Sequence, residues 1–410
     1  MGKKKNNKKD KNNSPKSSSS SCLSSNNKLI FENDGKYEGE VEGNNKHGYG
    51  IFYSNNGSIY EGQWEDNNPH GYGKKSFPSG DMHEGYYVNG QRDGWGFYLW
   101  SCGDKYTGNW KDGVMHGYGY FAWTNGDTYS GNWLKGKISG CGIKSHADGT
   151  IEKGEFSDGQ LNSWGTKTLS CGDVYTGQFH HGRKHGQGEY KWISGDIYNG
   201  EWKNDRMTGT GHFSISVQRR SMLLSNEIVV YRGSFVNELR EGYGESEDVA
   251  GVKYAGEWSN DQRHGWGILS YPNGDIYEGY FNQGKKQGEG MMIFTGPTDQ
   301  EILSGLIDEE IGFDSEIHRG LWENDLPNGL GIRNYPNGQM YIGEFQHGQR
   351  QGYGELRLHL DSLHNPNNRL RENIKGRSSR EIVEIVLEEW DLDGPLIHSG
   401  NWNNNNFIPT

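Results

Sequence analysis

Histidine recurs at one point of a regular spacing, at His47, His70, His116, His185 and His264. Imidazoles in series suggest a metal array. If each belongs to its own β-hairpin, neighbours stand about 9.6 Å apart, the width of two strands, which is too far for two rings to share a zinc ion. We read them as turn residues. The cysteines Cys22, Cys102, Cys141 and Cys171 form no C-x-x-C pair, so neither a zinc knuckle nor a redox couple is signalled. Cys102 and Cys171 occupy the same turn position three periods apart, about 29 Å by strand spacing, and cannot be bridged. Glu38, Glu61 and Glu84 also recur, as a solvated stripe and not an acid/base pair. Paired glycines such as Gly48 and Gly50 satisfy neither G-x-G-x-x-G nor a G-K-[ST] phosphate loop. The expectation is a chain with no catalytic residue, no metal and no cofactor.

The spacing behind these residues is set by aromatic anchors. Tyr37, Tyr60, His83, Tyr106, Tyr129, Glu152, Tyr175 and Tyr198 follow one another every 23 residues. The series resumes at Tyr231, Tyr254 and Tyr277, then at His318 and Tyr341, and ends at His398. A glycine stands two residues after every anchor, as at Gly39, Gly62 and Gly108. An aromatic stands four residues after all but the first anchor, where Val41 takes its place; Trp64, Trp110, Trp133, Trp202 and Trp258 are among them. Eleven and thirteen residues on come paired glycines, broken only at Ser163.

Strand side chains alternate, so anchor, glycine and aromatic share one face of a strand. The glycine pair and a following aromatic such as Phe52 or Phe121 would share the same face of a second strand. Polar stretches such as Glu65-Asp-Asn-Asn-Pro-His70 read as the turn between them. Each unit is thus one β-hairpin in which rings lie flat over glycine backbone. Gly-Asp recurs before the anchor, as at Gly80–Asp81 and Gly103–Asp104, and reads as a tight turn of positive φ. A lone hairpin is marginal in water, so the units must stack and stabilise one another.

The pattern Y-x-G-x-W…H-G-x-G…G-D resembles the MORN (membrane occupation and recognition nexus) repeat family, and the likeness runs over about residues 31–402. It implies an all-β, elongated, twisted antiparallel sheet of tandem hairpins, about fourteen units here, with a face or groove for partners. Members of the family include axonemal radial-spoke-head and other cytoskeletal proteins, and some sit at membranes or bind phospholipids. Members that are enzymes, such as plant-type phosphatidylinositol phosphate kinases and a SET-domain methyltransferase, carry a separate catalytic domain, for which this sequence leaves no room.

The array divides into repeats 1–8 (31–211), an insertion (212–230), repeats 9–11 (231–290), a second insertion (291–317), repeats 12–13 (318–354), a third insertion (355–396) and a truncated terminal repeat (397–410). In the third insertion Ser378-Ser-Arg-Glu381 precedes Ile382, Val383, Ile385 and Val386, a capping-box pattern that suits a short amphipathic helix, although a longer strand or a loop would serve as well.

Apolar residues make up only 31% of the chain while aromatics reach 13%, which suits a thin sheet better than a globule. Residues 1–30 hold eight lysines and one aspartate, a net of +7, so the total of −12 leaves −19 on the body. So acidic a body disfavours nucleic acid. The Lys, Asn and Ser-rich tail 1–30 is expected to be disordered, and Lys3, Lys4, Lys5, Lys8, Lys9 and Lys11 are candidate contacts to acidic phospholipid. Met1-Gly-Lys-Lys-Lys-Asn6 half resembles a myristoylation signal, with Asn6 where Ser or Thr is preferred. No signal peptide and no long apolar run are evident, so a cytoplasmic protein is expected, at the cytoskeleton or in a cilium, or peripheral to a membrane.

The leading functional expectation is a scaffold for protein partners of a cytoskeletal or axonemal assembly; a phospholipid-binding tether is the alternative. Tyr49, Tyr72, Trp95, Tyr118, Tyr243, Trp266 and Tyr353, the middle residues of the glycine pairs, are the candidate partner-binding aromatics by alternation. Tyr37, Tyr60, Tyr106, Tyr129, Tyr198, Tyr254, Tyr277 and Tyr341 are assigned to structure. An open sheet with two free edges also permits homodimers.

Overall fold

In a computed structural model, residues 27–295, 315–336, 338–358 and 396–408 are described. They fall into two compact units, Met1–Gly142 and Ile143–Thr410, with the division inside the strand Lys137–Ser145. In the first unit the strand Asn27–Glu32 pairs antiparallel with Gly35–Glu42, and the hairpins that follow are Gly35–Glu42/Asn45–Ser54, Ile59–Glu65/Asn68–Ser76, Met82–Val88/Gln91–Leu99 and Lys105–Lys111/Val114–Ala122. Consecutive hairpins pair with each other through the same antiparallel ladder. The second unit repeats the scheme from Ile151–Ser157/Gln160–Thr168 to Leu396–Asn403/Asn406–Ile408. The fold is therefore the antiparallel array of tandem hairpins that the periodicity implies.

The register explains the glycines. Gly50 faces Gly39 within its hairpin and Gly62 of the next one, so the glycines form a lane across the strands. A Cβ on Gly50 would lie 2.3 Å from the Tyr37 hydroxyl, which shows that the anchor ring lies directly on that lane. The ring is fully buried, and its hydroxyl donates to the carbonyl of Glu40 at 2.7 Å. Tyr60, Tyr106, Tyr129, Tyr175, Tyr198, Tyr231, Tyr254, Tyr277 and Tyr341 repeat that bond to the carbonyl three residues on. Burial pushes the phenols of Tyr37, Tyr129, Tyr231 and Tyr341 up to about 12, so these hydroxyls remain donors at any ordinary pH.

Three expectations need correction. The turn inside each hairpin is two residues, not six: Asp66 and Asn67 both have positive φ, at 45° and 69°, and the second strand begins at Asn68. Such a two-residue turn matches strand twist, so the chain reverses at once and the Pro69–His70 stretch joins the ladder. The first glycine of each pair is also more than a gap for a ring. Gly48 has φ +65° and follows a register shift between Gly39 and Val41, so it absorbs a β-bulge in the left-handed region. Last, order begins within the tail: Asn27–Ile30 belong to a strand, because Leu29, Ile30 and Phe31 are good strand formers beside a free edge.

The Gly-Asp turns do have the expected positive φ, 91° at Gly80 and 96° at Gly103. Their aspartates link one turn to the next. Asp81 accepts from the Ser101 N–H at 2.7 Å, Asp104 from Thr124 at 2.8 Å and Asp275 from Thr295 at 2.8 Å. The 212–230 insertion holds one helical turn, Val217–Arg220, pinned by the same device: Asp196 accepts from the Ser216 N–H at 2.9 Å and pairs with Arg219. Residues 1–26, 296–314 and 359–395 lie outside the described residues, and with them Cys22, the tail lysines and the suggested helix around Ile382–Val386.

Candidate interaction surfaces

In each unit the sheet presents two different faces. On the packed face each ring meets its neighbours edge to face. Tyr37 and Trp64 are 5.3 Å apart at 80°, Tyr60 and Trp64 5.1 Å at 89°, and Tyr106 and Trp133 5.5 Å at 82°. Each such pair adds about 0.5–1.5 kcal/mol beyond the burial of the rings. Several indoles donate to a lane carbonyl as well, Trp64 to Gly50, Trp202 to Gly188 and Trp258 to Gly244, each at 3.1 Å.

A row of cations lies over these rings, and the sequence reading missed it. Lys46, Arg92, Lys184, Arg240, Arg263, Lys286 and Arg350 all stand nine residues after an anchor. Arg92 lies 4.2 Å from the Trp110 ring, Lys184 4.0 Å from Trp202, Arg240 4.6 Å from Trp258 and Arg350 4.2 Å from Trp402. Burial lowers the pKa of Lys184 and Lys286. The signal in the sequence was a basic residue in seven of thirteen complete units, hidden because the other units carry Pro, Met, Ile or Leu there. In the second unit a cavity of about 640 Å³ opens on this face, lined by Arg240, Arg263, Tyr231, Trp258, Asp248 and Asp261.

Three of the thirteen complete units depart at the anchor. His83 and His318 are fully buried in place of tyrosine, and His83 Nδ1 lies 2.6 Å from the Tyr87 hydroxyl. Burial, with Arg92 or Arg333 nearby, pulls both imidazoles down to about 3. In the third, Glu152 pairs with Lys167 at 3.0 Å and His146 at 3.5 Å, and Leu161, 1% exposed, takes over the glycine lane. Its Cδ2 lies 3.1 Å from where a Cβ on Gly165 would be.

The opposite, open face carries the candidate aromatics. Tyr49, Tyr72, Trp95, Tyr118, Tyr243, Trp266 and Tyr353 range from 43% to 61% exposed. Tyr49 donates to Glu61 at 2.7 Å and Tyr72 to Glu84 at 2.8 Å, while the hydroxyls of Tyr118 and Ser130 are 2.7 Å apart. The carboxylate stripe therefore ties down two of the exposed phenols. Sequence reasoning overlooked Trp164, which is 55% exposed between Ser163 and Gly165, and Tyr86, which packs edge to face on Tyr72 at 5.6 Å. In the second unit the open face has an apolar cavity of about 530 Å³ lined by Trp266, Met291, Leu321, Leu330 and Ile332.

Of the recurring histidines, His47 and His70 face Glu42 and Glu65 at 3.5 and 3.0 Å beside their turns. Cys102, Cys141 and Cys171 are exposed and free. Among the described residues no three His, Cys, Asp or Glu side chains cluster closely enough to hold a metal ion. Among them, too, no helix is long and apolar enough to cross a membrane.

The MORN repeat family model matches twelve stretches: five in series over 37–151, then 175–197, 198–216, 231–249, 254–276, 277–296, 318–340 and 341–358. The chain belongs to the MORN repeat family. The two expected units left unmatched begin at Glu152 and His398, the one with a leucine over its glycines and the other cut short. No curated protein matches the chain. Among solved structures, similarity is found to the SAS-4 (dCPAP) TCP domain of Drosophila melanogaster in complex with a proline-rich motif of Ana2, at 11% identity over 50% of this chain and 92% of that one, with a TM-score of 0.20. A streptogramin B lyase structure aligns at 13% identity over 80% and 89%, with a TM-score of 0.11. Superpositions this poor say nothing of function.

Proposed function

We propose that this chain, whose MORN repeats are protein- and membrane-interaction motifs, is a non-enzymatic scaffold that docks protein partners in a cytoskeletal or axonemal assembly. The observation that carries the reading is the open face, where large aromatics stand half-exposed. Exposed Tyr and Trp in a row are interface anchors, because they bring much contact area at little entropic cost. Hairpins account for nearly all of the described residues, as suits a chain whose work is to present surface.

The alternative, a membrane tether, draws on the lysines of residues 1–30 and is opposed by the −19 body, which an anionic bilayer repels. Extraction of cells with non-ionic detergent separates the two readings. The scaffold is retained on the detergent-resistant cytoskeleton, with or without residues 1–26. A chain that is released with the lipids, and that loses its membrane association when residues 1–26 are removed, would sink the scaffold reading.

A further inference from the structure

In the first unit the open-face aromatics form an unbroken ladder. Tyr49, Tyr72, Trp95 and Tyr118 occupy the same position in four consecutive hairpins, all about half-exposed. In the ladder register Tyr49 faces Gln63, Tyr72 faces Tyr86, Trp95 faces Asn109 and Tyr118 faces Asn132, so each rung lies two strands from the next. Two strand spacings make about 9.4–9.8 Å. A polyproline II helix has three residues per turn and rises about 3.1 Å per residue, so its own repeat is roughly 9.3 Å.

We propose that this ladder binds a proline-rich, basic peptide of a partner protein as a polyproline II helix lying across the strands, with every third residue packed on a successive rung. The proposal rests on the protein-docking reading above and names the partner's chemistry. Three further features fit it. Polyproline II has no internal hydrogen bonds, so its carbonyls need donors; Trp95 is half-exposed and its indole N–H has no partner among the described residues. The same freedom from internal bonds lets the helix wind with the twist of the sheet. The ladder is also flanked by Glu38, Glu40, Glu61 and Glu84 against Lys36, Lys74 and Lys105, a small surplus of carboxylate that favours lysine or arginine between the prolines. An extended peptide in β conformation, at about 3.3 Å per residue with side chains alternating, falls out of step with the rungs.

The ladder is specific to this part of the chain. In the second unit the equivalent positions run Trp164, Gln187, Thr210, Tyr243, Trp266, Glu289, Leu330 and Tyr353, so no more than two aromatics are consecutive.

The test is a fluorescence-anisotropy titration of the full chain with three labelled dodecapeptides: (Pro-Ala-Lys)4, (Pro-Ala-Ala-Lys)3 and (Gly-Ala-Lys)4. The first should bind at least about tenfold more tightly than the other two, since it alone combines the period with the preformed helix. Trp95→Ala and Tyr72→Ala should each weaken it by about tenfold, while Tyr72→Phe and Trp266→Ala leave it unchanged. Equal binding of all three peptides would mean charge attraction alone and would overturn the proposal, as would absence of binding or indifference to Trp95→Ala. If (Pro-Ala-Lys)4 fails to bind yet Trp95→Ala releases the chain from the detergent-resistant cytoskeleton, the scaffold reading stands and the polyproline assignment falls.

Discussion

The hairpin that starts at Tyr106 and the one that starts at Glu152 share a fold but not a core. In the first, the Tyr106 ring covers Gly108 and Gly119 so closely that a Cβ on Gly119 would meet its hydroxyl at 2.4 Å. In the second, the charged anchor pairs with Lys167 and His146, and Leu161 reaches in from the partner strand to cover Gly154 and Gly165. The ladder hydrogen bonds are the same in kind. What the lane requires is an apolar group over its glycines. Tyrosine is the usual solution because its hydroxyl also satisfies a carbonyl at the bulge.

That comparison can be broken by substitution. Repeat arrays open piecemeal, so hydrogen exchange resolved by hairpin is the suitable readout. Tyr106→Ala removes a fully buried ring and should cost its hairpin about 3–5 kcal/mol, the range for large aromatic truncations. Glu152→Ala should cost less than Tyr106→Ala, about 1–3 kcal/mol, because it leaves Lys167 and His146 without the carboxylate they share at a site only 12% exposed. Leu161→Ala should behave like an anchor mutation, at about 2–4 kcal/mol, and a loss near zero there would refute the idea that leucine has replaced the ring. Gly119→Ala should cost roughly 1–3 kcal/mol, because the new methyl must displace Tyr106. Gly165→Ala meets the Lys153 carbonyl at 2.9 Å and Leu161 at 3.1 Å, so the loss there should be smaller.

The histidine anchors sharpen the comparison through pH. His83 and His318 have folded pKa values near 3, below the unfolded value of 6.5. The unfolded state therefore binds more protons between those limits. Stability is complete above about pH 6.5 and is lost as the pH falls, by about 1.4 kcal/mol per pH unit for each histidine. His83→Tyr should flatten that slope around its hairpin, which exchange measured from pH 7 to pH 5 would reveal. A slope unchanged by the substitution would rule out His83 as its source.

Much of the packed face was legible because its chemistry repeats. Tyr37, Gly39 and Trp64 have equivalents in most units, so spacing alone assigns them to one side. The bulge at Gly48 was not legible, because a glycine needed for left-handed φ and one needed for close approach are the same letter. The basic row from Lys46 to Arg350 was hidden by units that fill the site with apolar residues instead. Placement of Tyr49, Tyr72, Trp95 and Tyr118 on the open face followed from alternation, since the second glycine of each pair fixes the parity. Nothing in alternation signals that Glu61 and Glu84 hold two of those phenols, because that depends on pairing between hairpins.

The account turns on the open face being where partners dock. The most direct test replaces Tyr49, Tyr72, Trp95 and Tyr118 together by serine in the tagged full chain and follows it through non-ionic detergent extraction, with hydrogen exchange to confirm that the packed face is intact. The account predicts that the unaltered chain stays with the cytoskeleton and the folded variant is released. A folded variant that is retained as fully as the unaltered chain would contradict it.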